Sequence, residues 1–143
     1  MLQLLTEELL MKALPIILRV IGVIQIVLGL FYLFAPNYLL QAMGHSVPEI
    51  DIQYPLAMLA SRFLVLGSVM LYIAAAPDRH LLWIKVMIWI QIIDLAAGVL
   101  HTGLGHVDVS LSGVAMFNAS WMIVLLVLLM PKVSGDKPLA ESA

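Results

Sequence analysis

Few side chains in this sequence have the chemistry to do more than pack, and five of them interrupt long apolar runs: Gln25, Arg62, Gln91, Asp94 and Asn118. A guanidinium and a carboxylate can pair, hold a polar ligand or relay a proton. Carboxamides beside them can complete the hydrogen bonding, since each carries donors and an acceptor. Gln91 and Asp94 are three residues apart in "IQIID", so a helix puts them on one face. His101 lies seven residues beyond Asp94 and continues that face. A second group, His101, His106 and Asp108 in "HTGLGHVD", has side chains of the types that bind zinc, copper or non-haem iron. Its spacing matches no metal signature, because His-x4-His across two glycines lacks the i, i+4 geometry of a helix. These three are therefore read as the outer mouth of a polar site, with no metal and no cofactor expected. Haem at His101 would require an axial partner on a facing helix, and no other histidine lies within an apolar run. A Ser-His-Asp order with supporting turns, H-E-x-x-H and a glycine-rich phosphate loop are all lacking, so catalysis is not the leading reading.

The elements that must carry these residues are unusual in composition. The chain has 143 residues, 63% hydrophobic and only 11% charged, against about one quarter charged for an ordinary soluble domain. Four apolar runs, 16–35, 55–76, 81–100 and 111–130, are each long enough to cross a hydrocarbon layer of about 30 Å. In lipid each must be a helix, because every backbone group needs a partner within the segment. Short connections make sequential helices antiparallel neighbours. The expected fold is an all-α, integral membrane four-helix bundle over 16–130. An interfacial segment, 1–15, precedes it, with Leu2, Leu5 and Leu9 on one face, and a flexible cytoplasmic tail, 131–143, follows. Pro36, Pro77 and Pro131 follow three of the runs, and Pro55 opens the second. Ser46 and Glu49 have the spacing of a capping box. The net charge of −2 and the lack of a basic run argue against nucleic acid, and the lack of cysteine excludes disulfides.

Orientation follows from the basic residues. Lys12, Arg19, Arg79, Lys85, Lys132 and Lys137 fall on one side, and the two connections on the other side contain neither Lys nor Arg. The positive-inside rule then puts both termini in the cytoplasm. Arg62 is seven residues after Pro55, Asp94 seven before His101, and Asn118 seven after Leu111. At helical rise all three lie roughly 10 Å below the outer face. Burying Arg or Asp in mid-membrane costs roughly 2.5–3.5 kcal/mol on insertion scales, so an Arg62–Asp94 pair is expected. Asn118 and Gln91 are expected to satisfy the pair's remaining hydrogen-bonding groups, with Gln25 somewhat deeper. "RVIGVIQI" (19–26) and "KVMIWIQI" (85–92) align with four identities, which suggests a 2+2 parallel repeat.

"IGVIQIVLGLFYLFAP", "ASRFLVLGSVMLYIAA" with Arg62 inside it, and the "PDRH" turn together resemble the BphX-like family of bacterial four-helix membrane proteins, and more distantly DoxX-type proteins. The resemblance spans roughly 16–130. It implies a bacterial inner-membrane protein of unknown activity and draws attention to Arg62. The residues leave three readings open. One is a non-enzymatic accessory or small-ligand-binding component, built round Arg62 and Asp94, that self-associates or joins a larger membrane complex. Another is a small transporter or proton-coupled component using that pair. The third is a membrane redox or metal protein using His101 and His106.

Overall fold

The computed structural model describes residues 2–130, with side chains from Lys12 onward. The expectations for the face formed by Leu2, Leu5 and Leu9, for Pro131 and for the tail with Lys132 and Lys137 lie outside the described side chains and residues. The described chain is all-helical. Helix α1 spans Leu2–Phe34, α2 Pro36–Ala42, α3 Gln53–Ile73, α4 Leu81–Gly103 and α5 Val109–Leu129. Short 3-10 turns, Ile50–Ile52 and Pro77–Arg79, precede α3 and α4. Stretches of four of these helical segments, Lys12–Phe34, Ile50–Ile73, Leu81–Gly103 and Val109–Leu129, are long and apolar enough to cross a membrane.

Proline and glycine set the boundaries. A residue before proline is driven out of the α region. Ala35, before Pro36, has φ −143° and ψ 50°, and Ala76, before Pro77, has φ −151° and ψ 70°. Each proline then occupies a first-turn position, where its missing N–H is not needed. Pro55 also lies in a first turn, because α3 begins two residues earlier than the apolar run, at Gln53. The same helix stops at Ile73, short of 76, as the chain tightens through Ala75 N–H to Tyr72 O and Ala76 N–H to Ile73 O bonds. Helix α1 passes through Pro15 without interruption, so no break separates residues 2–15 from the span. The Ser46–Glu49 capping box does not form. Glu49 itself is the N-cap of the Ile50–Ile52 turn and makes no side-chain cap bond, so Ser46 lies too early in register.

Two helices end in the same glycine device. After α4, Gly105 adopts φ +71°, donates to Thr102 O at 3.0 Å, and lets His106 N–H reach His101 O at 2.9 Å. After α2, Gly44 (φ +88°) donates to Gln41 O and His45 to Leu40 O, both at 2.9 Å. This is the Schellman pattern, which requires a left-handed residue and so favours glycine.

The long helices pack as two antiparallel pairs. Helix α1 lies along α3, where Gly22 and Gly67 face each other. A Cβ on Gly67 would sit 2.8 Å from Gly22 O, and one on Gly22 would sit 2.9 Å from Gly67 O. Farther along, Gly29 meets Leu64, and Tyr32 stacks on Phe63 with ring centroids 5.6 Å apart. Helix α4 lies along α5, where Gly98 meets Met116 and the Thr102 and Ser112 hydroxyls are 2.8 Å apart. The apolar core that joins the two pairs lies towards one end. There Leu14, Leu18 and Ile21 pack with Leu66, Met70, Ile73, Ile84, Met87, Ile88, Met122 and Leu126. That end is where α4 begins, where α3 and α5 finish, and where α1 is at the middle of its length. Towards the other end this apolar core stops and the helices enclose a cleft.

Candidate functional site

The cleft has a volume of about 590 Å³ and is walled by α1, α3, α4 and α5, with Leu39 of α2 and Met43, just after α2, at its end. Its walls are mostly apolar, including Ile24, Leu28, Leu59, Phe63, Val114, Met116 and Phe117. A few polar groups converge on it: Gln25, Arg62, Gln91, Asp94 and Asn118 all line it. A concave, largely apolar space with a few polar groups is the usual form of a small-molecule site. All five residues read from the sequence as a polar cluster therefore meet around one space, contributed by four helices.

Arg62 and Asp94 face each other across α3 and α4. Arg62 Nη2 donates to Asp94 Oδ1 at 3.3 Å and Oδ2 at 3.2 Å. One amino group straddles both oxygens, and the distances exceed the 2.7–2.9 Å of a tight charge-assisted bond. The pair is not sealed in the helix packing: the side chains are 41% and 36% exposed. The guanidinium is held from behind by an aromatic ladder, with its Cζ 5.5 Å from the Phe63 ring centroid and Phe63 stacked on Tyr32.

The two carboxamides expected to complete this pair do not touch it. Asn118 instead accepts the indole N–H of Trp121, one turn on, at 3.0 Å. Gln91 donates to the Met87 sulfur, one turn back, at 3.5 Å. Neighbours on the same helix win because i±3 and i±4 side chains are already within reach. Counting residues along a helix gives a level, but level does not fix a side chain's direction. The indole and thioether partners also settle how these amides are oriented. An indole N–H only donates, so Asn118 Oδ1 is the acceptor and its NH2 is left for the cleft. A thioether accepts weakly and cannot donate, so the Gln91 nitrogen faces it and the carbonyl oxygen is left over. Gln25 is 2% exposed and its Oε1 is buried with no partner among the described residues.

His101, His106 and Asp108 are not part of the cleft wall. The histidines do come together, with their Nδ1 atoms 3.1 Å apart and ring centroids 5.3 Å apart. Sequence spacing set this pair aside only as a metal signature and grouped it as an outer mouth, without showing that the two rings meet. The signal that could have found it is Gly105: the Schellman turn bonds His106 N–H to His101 O and brings the two rings together at a tilt of 47°. Asp108 is the N-cap position of α5 and makes no side-chain cap bond, while its carbonyl accepts from Leu111 and Ser112. Among the described residues, no group of three or more His, Cys, Asp and Glu forms a set able to hold a metal ion.

Comparison with protein-family models, curated proteins and solved structures finds no match to this chain.

Proposed function

We propose that this chain is a four-helix integral membrane protein that binds a small, mainly apolar ligand in the cleft between its two helix pairs. The observation that carries this reading is the 590 Å³ cleft with an Arg62–Asp94 pair open to it. Insertion in a bilayer is supported by the outward faces of all four long helices. Phe34, Tyr72, Trp89 and Leu128 are among the large apolar or aromatic side chains pointing outward, at 77%, 72%, 64% and 65% exposure. A water-soluble monomer rarely carries so continuous an apolar surface. Lys12, Arg19, Arg79 and Lys85 lie towards the closed end, which supports that end, and both termini, on the cytoplasmic side. The cleft then belongs to the external half. The resemblance to BphX-like proteins supports a bacterial inner membrane. The pairing of α1 with α3 and α4 with α5, with buried Gln25 and Gln91 at aligned positions, supports the 2+2 repeat.

Binding is favoured over transport by the closed end. Leu18, Ile21, Met70, Met87, Met122 and Leu126 are fully buried there, and this packing leaves a ligand no continuation beyond the cleft. The ion pair helps by cancelling its own net charge, so the cleft suits a neutral guest.

The test is saturable quenching of tryptophan emission by an apolar fluorophore, with the protein in nanodiscs and empty nanodiscs as reference. Trp121 lines the cleft and supplies the signal. Filling the space with Ala115→Trp is expected to abolish saturation, because Ala115 is in the wall. Quenching that rises linearly with no plateau would mean the fluorophore reads only the lipid.

A further inference from the structure

The unpaired hydrogen-bonding groups in the wall narrow the ligand's chemistry, if the cleft is a binding site as proposed above. Three amides from three helices are incompletely partnered. Asn118 has an NH2 to give, Gln91 has a carbonyl oxygen to offer, and Gln25 has no partner for its buried oxygen. An unsatisfied buried amide is costly, and native structures usually answer it with water or a ligand. Gln25 is the strongest sign, because nothing in its own packing explains a carboxamide: its neighbours on α3 are Gly67 and the close-packed seam around it. Leucine or isoleucine would fill that position without leaving a polar atom unpaired.

These groups specify opposite needs. A head that only accepts would answer Asn118 and leave the oxygens of Gln91 and Gln25 unpaired. A head that only donates would do the reverse. A carboxylate would be drawn to Arg62 but set against Asp94, and an ammonium would meet the mirror-image conflict. The remaining class is a neutral head that both donates and accepts. We infer that the cleft selects a neutral, mainly apolar molecule bearing a hydroxyl group, whose O–H donates to a glutamine carbonyl while its oxygen accepts from Asn118.

The experiment uses three probes with one skeleton in the same nanodisc assay: pyrene, 1-methoxypyrene and 1-hydroxypyrene. Pyrene has no polar head, the methoxy compound only accepts, and the hydroxy compound does both. Affinities are corrected for partition into empty nanodiscs. The expected result is hydroxypyrene bound roughly tenfold more tightly than either other probe, the gain of one or two net hydrogen bonds. Gln25→Leu should fold normally, since it removes an unpartnered amide, and should shrink that preference, read as the ratio of hydroxypyrene to pyrene affinity. Gln91→Leu is the second variant, with the same expected effect. Equal affinity for all three probes would overturn the hydroxyl inference and leave the binding site standing. Tighter binding of methoxypyrene than hydroxypyrene would overturn it too, in favour of a purely accepting head. If no probe saturates, the binding reading and this inference fail together.

Discussion

At the scale of single residues, the ion pair is the feature whose loss should be most visible. Exposed pairs in water contribute about 0–1 kcal/mol, whereas an unpaired charge at helix mid-depth in a membrane costs roughly 2.5–3.5 kcal/mol. Arg62 and Asp94 fall between these limits, because each is partly exposed to the cleft. Arg62→Ala and Asp94→Ala are each expected to destabilise the protein by about 1–3 kcal/mol, read as a lower unfolding temperature in detergent. The exchanged double variant, Arg62→Asp with Asp94→Arg, should recover part of that loss. Two single variants as stable as the parent would show that the pair contributes nothing to packing. These five polar residues were legible in the sequence because a polar group in an apolar run is expensive and stands out. Their bonds were not. Asn118 and Gln91 turned to Trp121 and Met87 on their own helices, and no sequence rule ranks an i+3 indole against a charge on another helix.

At the scale of elements, the seam between α1 and α3 is set by glycine. In a bilayer, helices gain little by hiding apolar surface from lipid, so association depends on close packing. Gly22 and Gly67 allow each backbone to approach the other's carbonyl, and a methyl at either position would collide with it. Gly67→Ala is expected to cost about 1–3 kcal/mol, the usual penalty of overpacking. Gly103→Ala is the matched control: it has open space around its Cβ position and lies at the end of α4, so little change is expected. Similar unfolding temperatures for the two variants would contradict a glycine-dependent seam. Element existence was readable from run length and proline. Element ends were less so: Gln53 precedes the run because Pro55 is tolerated in a first turn, and Ile73 falls short of it because a tightening last turn before the pre-proline Ala76, rather than hydropathy, decides where the helix stops. The Schellman turn at Gly105 was also unread, and with it the approach of His106 to His101.

At the scale of the whole molecule, the arrangement is asymmetric along its length. A dry core occupies one end, and a cleft occupies the other. If the basic end faces the cytoplasm, a cysteine at His45 should react with an impermeant maleimide in intact cells. A cysteine at Asp78 should react only after permeabilisation. The chain has no native cysteine to confuse the result. The reverse pattern would invert the molecule and put the cleft on the cytoplasmic side. The sequence could indicate this polarity through its lysines and arginines. It could not indicate where side chains stop meeting, because that depends on how far apart four helices splay.

The methionines divide along the same axis, and this makes the molecule its own spectrometer. Met70, Met87 and Met122 are fully buried in the closed end, while Met43 and Met116 line the cleft. With the ε-methyl groups labelled with carbon-13, a guest in the cleft should move the Met43 and Met116 resonances and leave Met70 and Met122 in place. Met87, whose sulfur accepts the Gln91 amide, should respond in between. One spectrum would then report both occupancy and whether the far end of the protein registers it.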